Sequence, residues 1–338
     1  MREKFQKPIE ISLLLLYNRI ASICLIRENQ MVLTVCLSPC IDVTIEVDAL
    51  NVGKYNVLKN KSTAFAGKAL NVAIDIARLG GESYITGFLY NENGSEFETL
   101  LDRERVPFTF VWNRGRVREN YKIIDGKSML TEINGVSERV DEEKLTELSA
   151  MVQSLSSRAS VTVISGALPK GVSHEYYGSL FRMVDPSCKK IVDAEGARMF
   201  SALDVGVDLV KPNLEELETS LGRELNTQSE VLDGCKELIE RGTKIVLLSL
   251  GKQGALITDG KETHYCRSMN VAVNSTVGAG DAMVAAAALQ LERGAELPDI
   301  LRAGVAAGTA SVSTFGSMWF KREKYVEIYD NLSVKRIE

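Results

Sequence analysis

The chain has 338 residues, a net charge of −5 from 40 Lys and Arg against 45 Asp and Glu, and only two histidines. This mildly acidic balance lacks the basic surface that nucleic acids and anionic membranes attract, so we expect neither as a partner. The apolar fraction of 45% is typical of a soluble globular protein with a large core. With His174 and His264 alone, a metal site built from several histidines is excluded.

Six cysteines are scattered along the chain, and none belongs to a C-x-x-C pair. In a chain of this length such cysteines are typical of reduced, buried residues, and we therefore predict a cytoplasmic protein. Cys36 and Cys40 are four residues apart, but no second pair of ligands follows them. Packing therefore explains these two cysteines better than a metal site.

Residues 1–30 are predicted to form an extension outside the fold. The segment MREKFQK and the apolar run after it resemble the start of a signal peptide, but Asn18 and Arg19 interrupt the run and no small-x-small cleavage site follows. The run is also shorter than the roughly 20 apolar residues that cross a bilayer. Met31 opens a clean apolar strand, so we interpret it as the native start of one domain that extends to about residue 330.

From Met31 onward, short apolar runs alternate with segments of helical periodicity. Residues 32–37 are predicted to form the first strand, and a 3.6-residue period over residues 70–77 predicts a helix. Further apolar runs follow at residues 85–89, 161–164, 191–193, 209–211 and 245–250. Near-continuous apolar strands between helices indicate an α/β fold, with a mostly parallel central sheet and helices on both faces.

Two stretches, at about residues 42–63 and 108–134, depart from this alternation. They carry alternating or β-rich segments with no helical period between them. We interpret them as antiparallel strands inserted into the α/β body, where they form a small sheet that acts as a lid or a dimer surface. The sequence shows no repeat or Pro-rich linker, which favours one domain with an appended lid.

The segment NSTVGAGDAMVA places a Gly-Ala-Gly turn, residues 278–280, directly before an Ala-rich helix. Unhindered backbone N–H groups and the positive end of the helix predict an anion site in the cleft beyond the strand ends. Asp281 lies in the first helical turn, where it either caps the helix or removes a proton from a hydroxyl group. The pattern matches neither a Walker loop nor a dinucleotide fingerprint. A phosphate site beside a carboxylate is suited to phosphoryl transfer.

The same segment resembles the C-terminal signature of the ribokinase-like, phosphofructokinase B family of sugar kinases. AFAGKALNVAIDIARLGG resembles the family's N-terminal signature, usually G-G-K-G-x-N-V-A. Four further motifs follow in family order, so that the match spans residues 31–316: LTVCLSPCID, GALPKGV, VKPNLEELE and LSLGKQGALI. RVRENYKI and LTEIN look most like the 1-phosphofructokinase and tagatose-6-phosphate kinase branch. The resemblance implies a ribokinase-like α/β fold with a β-sheet lid, and an ATP-dependent kinase.

The resemblance also implies which residues act on the nucleotide and on the transferred group. Asp281 would be the base that takes the proton of the acceptor hydroxyl. The anion hole beside it would be formed by Gly278, Ala279 and Gly280. Mg²⁺ would be held mainly through water by Asn213 and Glu216, and a K⁺ requirement is an open possibility. The ATP side would be lined by Ser249, Gly251, Gly254 and Gly308.

On the substrate side, the resemblance implies that sugar hydroxyls are bound by Asp42, Asn71 and the backbone at Gly67. Arg118, Asn120 and Lys122 align with the branch's T-R-x-N-x-K segment, and alternate residues of a strand share one face. A guanidinium, an amide and an ammonium group on one face suit a sugar phosphate, and Lys68 would join them. Without the resemblance, a solvated basic edge strand is the better explanation.

Three departures from the family pattern fall on this substrate side. The motif G-G-K-G reads A-G-K-A here, with methyl groups at Ala66 and Ala69 that narrow the space beside a ligand. Ser38 and Val117 replace an Asn and a Thr, and YNENGSEF replaces most of a glycine-rich turn. We therefore expect intact phosphoryl-transfer chemistry with an altered acceptor pocket.

The sequence thus predicts phosphorylation of a ketohexose phosphate, with fructose 1-phosphate as the first choice and tagatose 6-phosphate as the second. A kinase of an unphosphorylated sugar or nucleoside is a further alternative, which the basic strand disfavours. A sugar-phosphate sensor without turnover is the last, and the retained Asp281 disfavours it. Lids of this family often pair between subunits, so we expect a homodimer through the lid strands.

Overall fold

The computed structural model describes residues 31–127, 129–314 and 319–338, so the predicted extension 1–30 lies outside the described residues. The strands within these ranges are β1 (Val32–Cys36), β2 (Cys40–Val47), β3 (Leu58–Ala66), β4 (Ser83–Tyr90), β5 (Phe108–Asn113), β6 (Arg118–Ile124), β7 (Leu130–Asn134), β8 (Val161–Ser165), β9 (Lys189–Asp193), β10 (Val207–Val210), β11 (Thr243–Ser249), β12 (Ala255–Thr258), β13 (Thr263–Cys266) and β14 (Val334–Arg336). The helices are α1 (Lys68–Arg78), α2 (Ser95–Arg103), α3 (Glu142–Ser156), α4 (Glu175–Met183), α5 (Gly196–Leu203), α6 (Leu214–Leu221), α7 (Gln228–Arg241), α8 (Ala279–Glu292), α9 (Leu297–Ser313) and α10 (Arg322–Asn331).

A large sheet forms the centre of the molecule. Among the described residues it has ten strands, in the order β14-β13-β12-β11-β10-β9-β8-β1-β4-β5. The strands from β11 to β5 run parallel, whereas β12, β13 and β14 pair antiparallel at one edge. Strand β1, with the sequence VLTVC, is buried along its whole length, as a central parallel strand covered on both faces requires. The predicted mostly parallel α/β sheet is confirmed.

Helices cover both faces of this sheet. Adjacent residues of each strand point to opposite faces, so each strand contributes side chains to both layers. Leu33 of β1 belongs to an apolar cluster with residues of helices α3 to α7 on one face. Its neighbour Val32 belongs to a second cluster, with residues of α1, α8, α9 and α10, on the other face. The helix predicted over residues 70–77 is present as α1. No helix in the described part of the chain is both long and apolar enough to cross a membrane.

A second, four-stranded sheet has the order β3-β2-β6-β7 and corresponds to the predicted lid. Two details of the prediction are wrong. Residues 108–113 form β5, which pairs with β4 at the edge of the large sheet, because Phe108 and Val111 are buried in apolar clusters there. Strands β2 and β6 pair parallel, with Asp42 opposite Asn120, so the lid is not wholly antiparallel.

Candidate active site

The parallel strands of the large sheet end at one edge, and a cleft of about 1050 Å³ lies beyond it. Residues at or just after the ends of β1, β8, β9, β10 and β11 line this cleft, namely Ser38, Ser165, Asp193, Lys211 and Ser249. The lid contributes Asp42 of β2 and alternate residues of β6. All the site residues named in the sequence analysis line this one cleft. Their individual roles stay predictions.

The Gly-Ala-Gly turn forms the N-terminus of α8. Gly278 has a φ of +83°, which a residue with a side chain rarely adopts, and the helix begins at Ala279. Because an N-cap glycine has no side chain to accept their hydrogen bonds, N–H groups of the first turn stay available to a ligand, although the Ala279 N–H makes a long bond of 3.4 Å to the Thr276 carbonyl oxygen. Together with the helix dipole, they form the anion site that the sequence predicts.

Asp281 lies in the first turn of α8 and is only 6% exposed. Its Oδ2 accepts a hydrogen bond of 2.7 Å from Asn71 Nδ2 of α1, so the two signature motifs meet at this carboxylate. Burial, and then the charge of Asp193, raise the pKa of Asp281 to about 7, although Lys68, Lys211 and the Asn71 amide oppose the rise. A carboxyl group with this pKa can accept a proton at neutral pH.

Two lysines hold the carboxylate of Asp193 at the end of β9. Lys211 Nζ lies 3.3 Å from Asp193 Oδ1, Lys68 Nζ lies 3.5 Å from Asp193 Oδ2, and Ser165 Oγ donates to Oδ2 at 2.8 Å. Burial alone would raise the pKa of Asp193, but Lys211 and Lys68 outweigh it and hold the pKa at about 2. The charge of Asp193 in turn raises the pKa of Lys68. Lys68 is therefore charged at neutral pH.

Lys211 is a candidate functional residue that the sequence analysis missed. It is 3% exposed, and its Nζ lies 3.3 Å from the position that a Cβ would take at Gly280, inside the Gly-Ala-Gly turn. This places a fixed positive charge beside the anion site. The signal was present in the sequence, since Lys211 opens the KPN motif at the end of the run predicted over residues 209–211.

The two predicted magnesium residues form the cap of helix α6. Asn213 Oδ1 accepts from the Glu216 backbone N–H, and Glu216 Oε2 accepts from the Asn213 backbone N–H. Glu216 Oε1 remains and lies 3.5 Å from Lys68 Nζ. In the described ranges no group of three or more His, Cys, Asp or Glu could hold a metal. A single carboxylate oxygen lining the cleft would suit Mg²⁺ that keeps most of its water.

The lid presents a connected set of polar side chains to the cleft. Arg118, Asn120 and Lys122 lie on one face of β6, and all three line the cleft. Lys122 Nζ lies 2.8 Å from Asp42 Oδ2, Asn120 Nδ2 donates to Asp42 Oδ1 at 2.9 Å, and Arg118 Nη1 donates to Asn120 Oδ1 at 2.9 Å. Asp42, which the resemblance assigns to sugar hydroxyls, is therefore bonded to the predicted phosphate-binding residues of β6. Asn71 and Lys68 lie outside this network, because Asn71 donates to Asp281 and Lys68 pairs with Asp193 and Glu216. Glu132 and Asn134 of β7 line the cleft beside the residues of β6.

Two of the glycines assigned to ATP have a packing role. At Gly254, with φ +102°, a Cβ would lie 2.0 Å from the Cys266 carbonyl oxygen. At Gly308, a Cβ would lie 2.9 Å from Met283 Cγ, where α9 packs on α8. Gly251, with φ +56°, faces open space. Close approach of the backbone therefore explains Gly254 and Gly308 without a nucleotide.

The two cysteines near the start of the domain line the cleft but are inert. Burial, first of all, raises the pKa of Cys36 to about 12 and that of Cys40 to about 11. Both thiols therefore stay protonated at neutral pH. Cys36 Sγ also lies 3.1 Å from the position that a Cβ would take at Gly67, so a side chain there would fit only if Cys36 shifted slightly.

Known proteins are similar to this chain over most of its length. A family model described as pfkB family carbohydrate kinase matches residues 33–321. The chain is 28% identical to the 1-phosphofructokinase of Vibrio cholerae, over 91% of this chain and 98% of that protein. It is 34% identical to the ATP-dependent 6-phosphofructokinase isozyme 2 of Escherichia coli, over 79% and 87%.

Crystal structures of the phosphofructokinase-2 from Escherichia coli superpose on the fold. The complex with fructose-6-phosphate has a TM-score of 0.82 and 29% identity, and the complex with potassium has a TM-score of 0.82 and 31% identity. A tetrameric inhibited form has a TM-score of 0.81 and 30% identity. Each comparison covers 89% of this chain and 98% of the other. The chain belongs to the pfkB family of carbohydrate kinases, and it is an ATP-dependent sugar kinase with a ribokinase-like fold.

Proposed function

We propose that this kinase transfers the γ-phosphoryl group of ATP to a hydroxyl group of a ketohexose phosphate, and that fructose 1-phosphate is converted to fructose 1,6-bisphosphate. The observation that carries the proposal is Asp281, a buried carboxyl group with a pKa of about 7 at the N-terminus of α8. A base of this kind beside an anion site is what phosphoryl transfer to an alcohol requires.

Each step of the transfer has a candidate residue in the cleft. Asp281 takes the proton of the acceptor hydroxyl as its oxygen attacks phosphorus. The N–H groups of Gly278, Ala279 and Gly280, with Lys211 Nζ nearby, stabilise the charge that develops on the transferred group. Mg²⁺, when bound, would neutralise charge on the phosphates, and Glu216 with Asn213 would hold it through water.

The charges of the lid favour a substrate that already carries a phosphate. Arg118 and Lys122 both line the cleft. Lys122 forms an ion pair with Asp42. Lys68 lines the same cleft from the start of α1, but it lies 3.5 Å from a carboxylate oxygen of Asp193 and of Glu216. Arg118 instead donates to the Asn120 amide oxygen and to the Gly135 carbonyl oxygen. A neutral sugar would leave the Arg118 guanidinium without an anionic partner among the described residues, so a phosphorylated ketose is the better fit.

Fructose 6-phosphate is the second candidate. Identity to relatives named ATP-dependent 6-phosphofructokinase isozyme 2 reaches 34%, against 28% for the 1-phosphofructokinase compared above. Both fructose phosphates give the same bisphosphate, since each places its free terminal hydroxyl at the opposite end from its phosphate. Tagatose 6-phosphate follows as the third.

The test is ADP release by purified protein with Mg-ATP and, in separate reactions, fructose 1-phosphate, fructose 6-phosphate, tagatose 6-phosphate and ribose. Preference for fructose 1-phosphate in kcat/KM supports the proposal. Preference for another phosphorylated ketose moves the assignment to that sugar, and turnover with ribose alone contradicts the proposed role of the lid cations. Binding of a sugar phosphate without ADP release would make the protein a sensor. Asp281→Asn serves as the control, since it should bind substrate and lose turnover by orders of magnitude.

We also propose a homodimer that forms through the lid. Large apolar side chains are exposed at the lid's tip, including Val52 at 90% and Tyr55 at 89% in the β2–β3 loop and Met129 at 63% in the β6–β7 turn. The Gly126 N–H donates to the Asp48 carbonyl at 3.0 Å and ties the loop to the turn. Exposed apolar groups gathered in this way favour contact with a second subunit. Light scattering of the wild type and of a Val52→Ser, Tyr55→Ser variant tests this, and a monomeric wild type contradicts it.

Two further proposals concern the conditions of activity. The potassium complex of the Escherichia coli relative supports a test of K⁺, in which rates with KCl are compared with rates in tetramethylammonium chloride at equal ionic strength. The cytoplasmic location predicted from the cysteines also stays a proposal, and fractionation of native cells tests it.

A further inference from the structure

Behind the candidate base, helix α1 carries a buried carboxyl group that the reaction described above does not use. Asp75 is 1% exposed, and its Oδ1 has no hydrogen-bond partner among the described residues. One helical turn earlier, Asn71 Oδ1 is also buried without a partner there, although the Nδ2 of the same amide donates to Asp281. Two orphaned oxygens thus lie on neighbouring turns of one helix, next to the catalytic centre. Buried polar atoms of this kind are rare and need an explanation.

The spacing of these two residues brings their side chains together. Residues four apart lie on the same face of a helix, and side chains lean towards the helix N-terminus, so Asp75 leans over the turn that carries Asn71. An amide oxygen accepts hydrogen bonds only, and an ionised carboxylate does the same. A protonated carboxyl group, however, can donate to the amide oxygen and satisfy both orphaned atoms at once.

We propose that Asp75 is a positioning residue, which stays protonated and donates a hydrogen bond from its carboxyl O–H to Asn71 Oδ1. This bond holds the amide with its Nδ2 towards Asp281. If the amide turned over, Asn71 Oδ1 would face the carboxylate of the base, and two acceptors would repel each other. The proposal rests on the proposed function in one respect, namely that Asp281 is the base.

The charges around Asp75 favour its neutral form. Burial first, and then the charge of Asp281 from α8, raise the pKa of Asp75 well above its usual range. Arg78, on the same helix, acts in the other direction, but its guanidinium is engaged by Glu104, with Nη2 at 2.9 Å from Oε2. Asp193, Lys68 and Lys211 act on Asp281 rather than on Asp75. One of two adjacent carboxyl groups is thereby kept neutral while the other ionises, a known arrangement at active sites.

Two substitutions of similar size separate positioning from packing. Asp75→Asn keeps an N–H donor for Asn71 Oδ1 and carries no charge, so kcat should stay within about twofold of the wild type, with the acid limb of the pH profile unmoved. Asp75→Leu fills the space without a donor. The kcat of Asp75→Leu should fall on the order of tenfold, which corresponds to the free energy of one hydrogen bond, and KM should change less. The acid limb of its pH profile should move to higher pH, because Asp281 loses the hydrogen bond from its oriented amide.

Two kinetic results would overturn the proposal. A wild-type kcat and pH profile for Asp75→Leu would mean that no donor is needed at this position. An acid limb shifted to lower pH in Asp75→Asn would mean that Asp75 is ionised in the wild type, because removing a negative charge near Asp281 lowers the pKa of the base.

A stability measurement tests the protonated state independently of the substrate. A carboxyl group whose pKa is raised by folding binds its proton more tightly in the folded state, so stability falls as pH rises above the unfolded pKa of about 4. Urea unfolding from pH 5 to 8 should show this fall in the wild type and a smaller fall in Asp75→Asn. Equal slopes would refute a protonated Asp75. A slope difference in a protein that phosphorylates none of the sugars would refute the proposed function and still support the protonated carboxyl group.

Discussion

Replacement of Lys211 by Met removes the charge that the structure places between the anion site and Asp193. Its Nζ lies 3.3 Å from Asp193 Oδ1 and 3.3 Å from the Cβ position at Gly280. At 3% exposure, the charge is poorly screened by water, so it acts strongly on its neighbours. The unbranched Met side chain retains most of the packing and none of the charge.

Lys211→Met should change two separate properties, the rate of turnover and the free energy of unfolding. Loss of one preorganised group at the site of developing charge costs about 3 kcal/mol, or on the order of 100-fold in kcat. Asp193 keeps Lys68 at 3.5 Å but loses its other cation, so the free energy of unfolding should fall by about 3 kcal/mol, as for other broken buried pairs. The pKa of Asp281 should also rise, because Lys211 holds it down.

The assay combines steady-state ADP release with urea unfolding for Lys211→Met, for the double variant with Asp193→Asn, and for Lys244→Met as control. Lys244 is a lysine of β11 whose side chain is 77% exposed, so its loss should change neither property by much. The double variant should regain stability, since no buried carboxylate is left unpaired, but not kcat. A kcat within threefold of the wild type in Lys211→Met would refute its place at the transferred group.

Three further outcomes are expected. The value of kcat/KM should rise with pH through about 7 and then level off, because Asp281 must lose its proton to act as a base, and a flat profile from pH 5.5 to 8.5 would exclude it. Lys122→Met should raise KM for the sugar phosphate by about tenfold with less change in kcat, whereas Lys61→Met, on the other face of the lid, should not. Gly254→Ala should lower the free energy of unfolding by about 3 kcal/mol, because the new Cβ would overlap a backbone carbonyl. Gly251→Ala, at a position that faces open space, should lower it by only about 1 kcal/mol. Equal thermal shifts of the two variants would contradict this.

Most of the α/β body could be predicted because its strands are continuous apolar runs and its helices have a clear period. Strand β1 and helix α1 are the clearest cases. The sequence analysis places strand β5 in the lid because residues 108–113 belong to a stretch of alternating or β-rich segments without helical periodicity. What places it in the large sheet is the crossover through α2 from β4, and this connection has no local signal at residues 108–113.

Motifs could predict which residues line the cleft, but they could not predict the contacts between those residues. Asp42 and Lys122 are 80 positions apart, and their ion pair depends on the parallel register of β2 and β6. The same limit applies to Lys211 and Asp193, which meet because β9 and β10 are neighbours in the sheet. A charge pair of this kind forms only because two strands are neighbours in the sheet, and the sequence of either strand alone does not predict which strand lies beside it.

Two of the buried carboxylates of the cleft, Asp193 and Asp281, show how contacts decide chemistry. Asp193 and Asp281 are 1% and 6% exposed, so burial raises the pKa of both. Asp193 lies beside two ammonium groups and stays ionised, whereas Asp281 receives one amide hydrogen bond and lies in the field of Asp193, which keeps its pKa near 7. The charge on Asp193 therefore does two things: it anchors Lys68 and Lys211 at the cleft, and it makes its neighbour basic enough to accept a proton. Removal of the charge on Asp193 would free both lysines to lower the pKa of Asp281. The position of the two lysines and the basicity of Asp281 therefore depend on the same carboxylate.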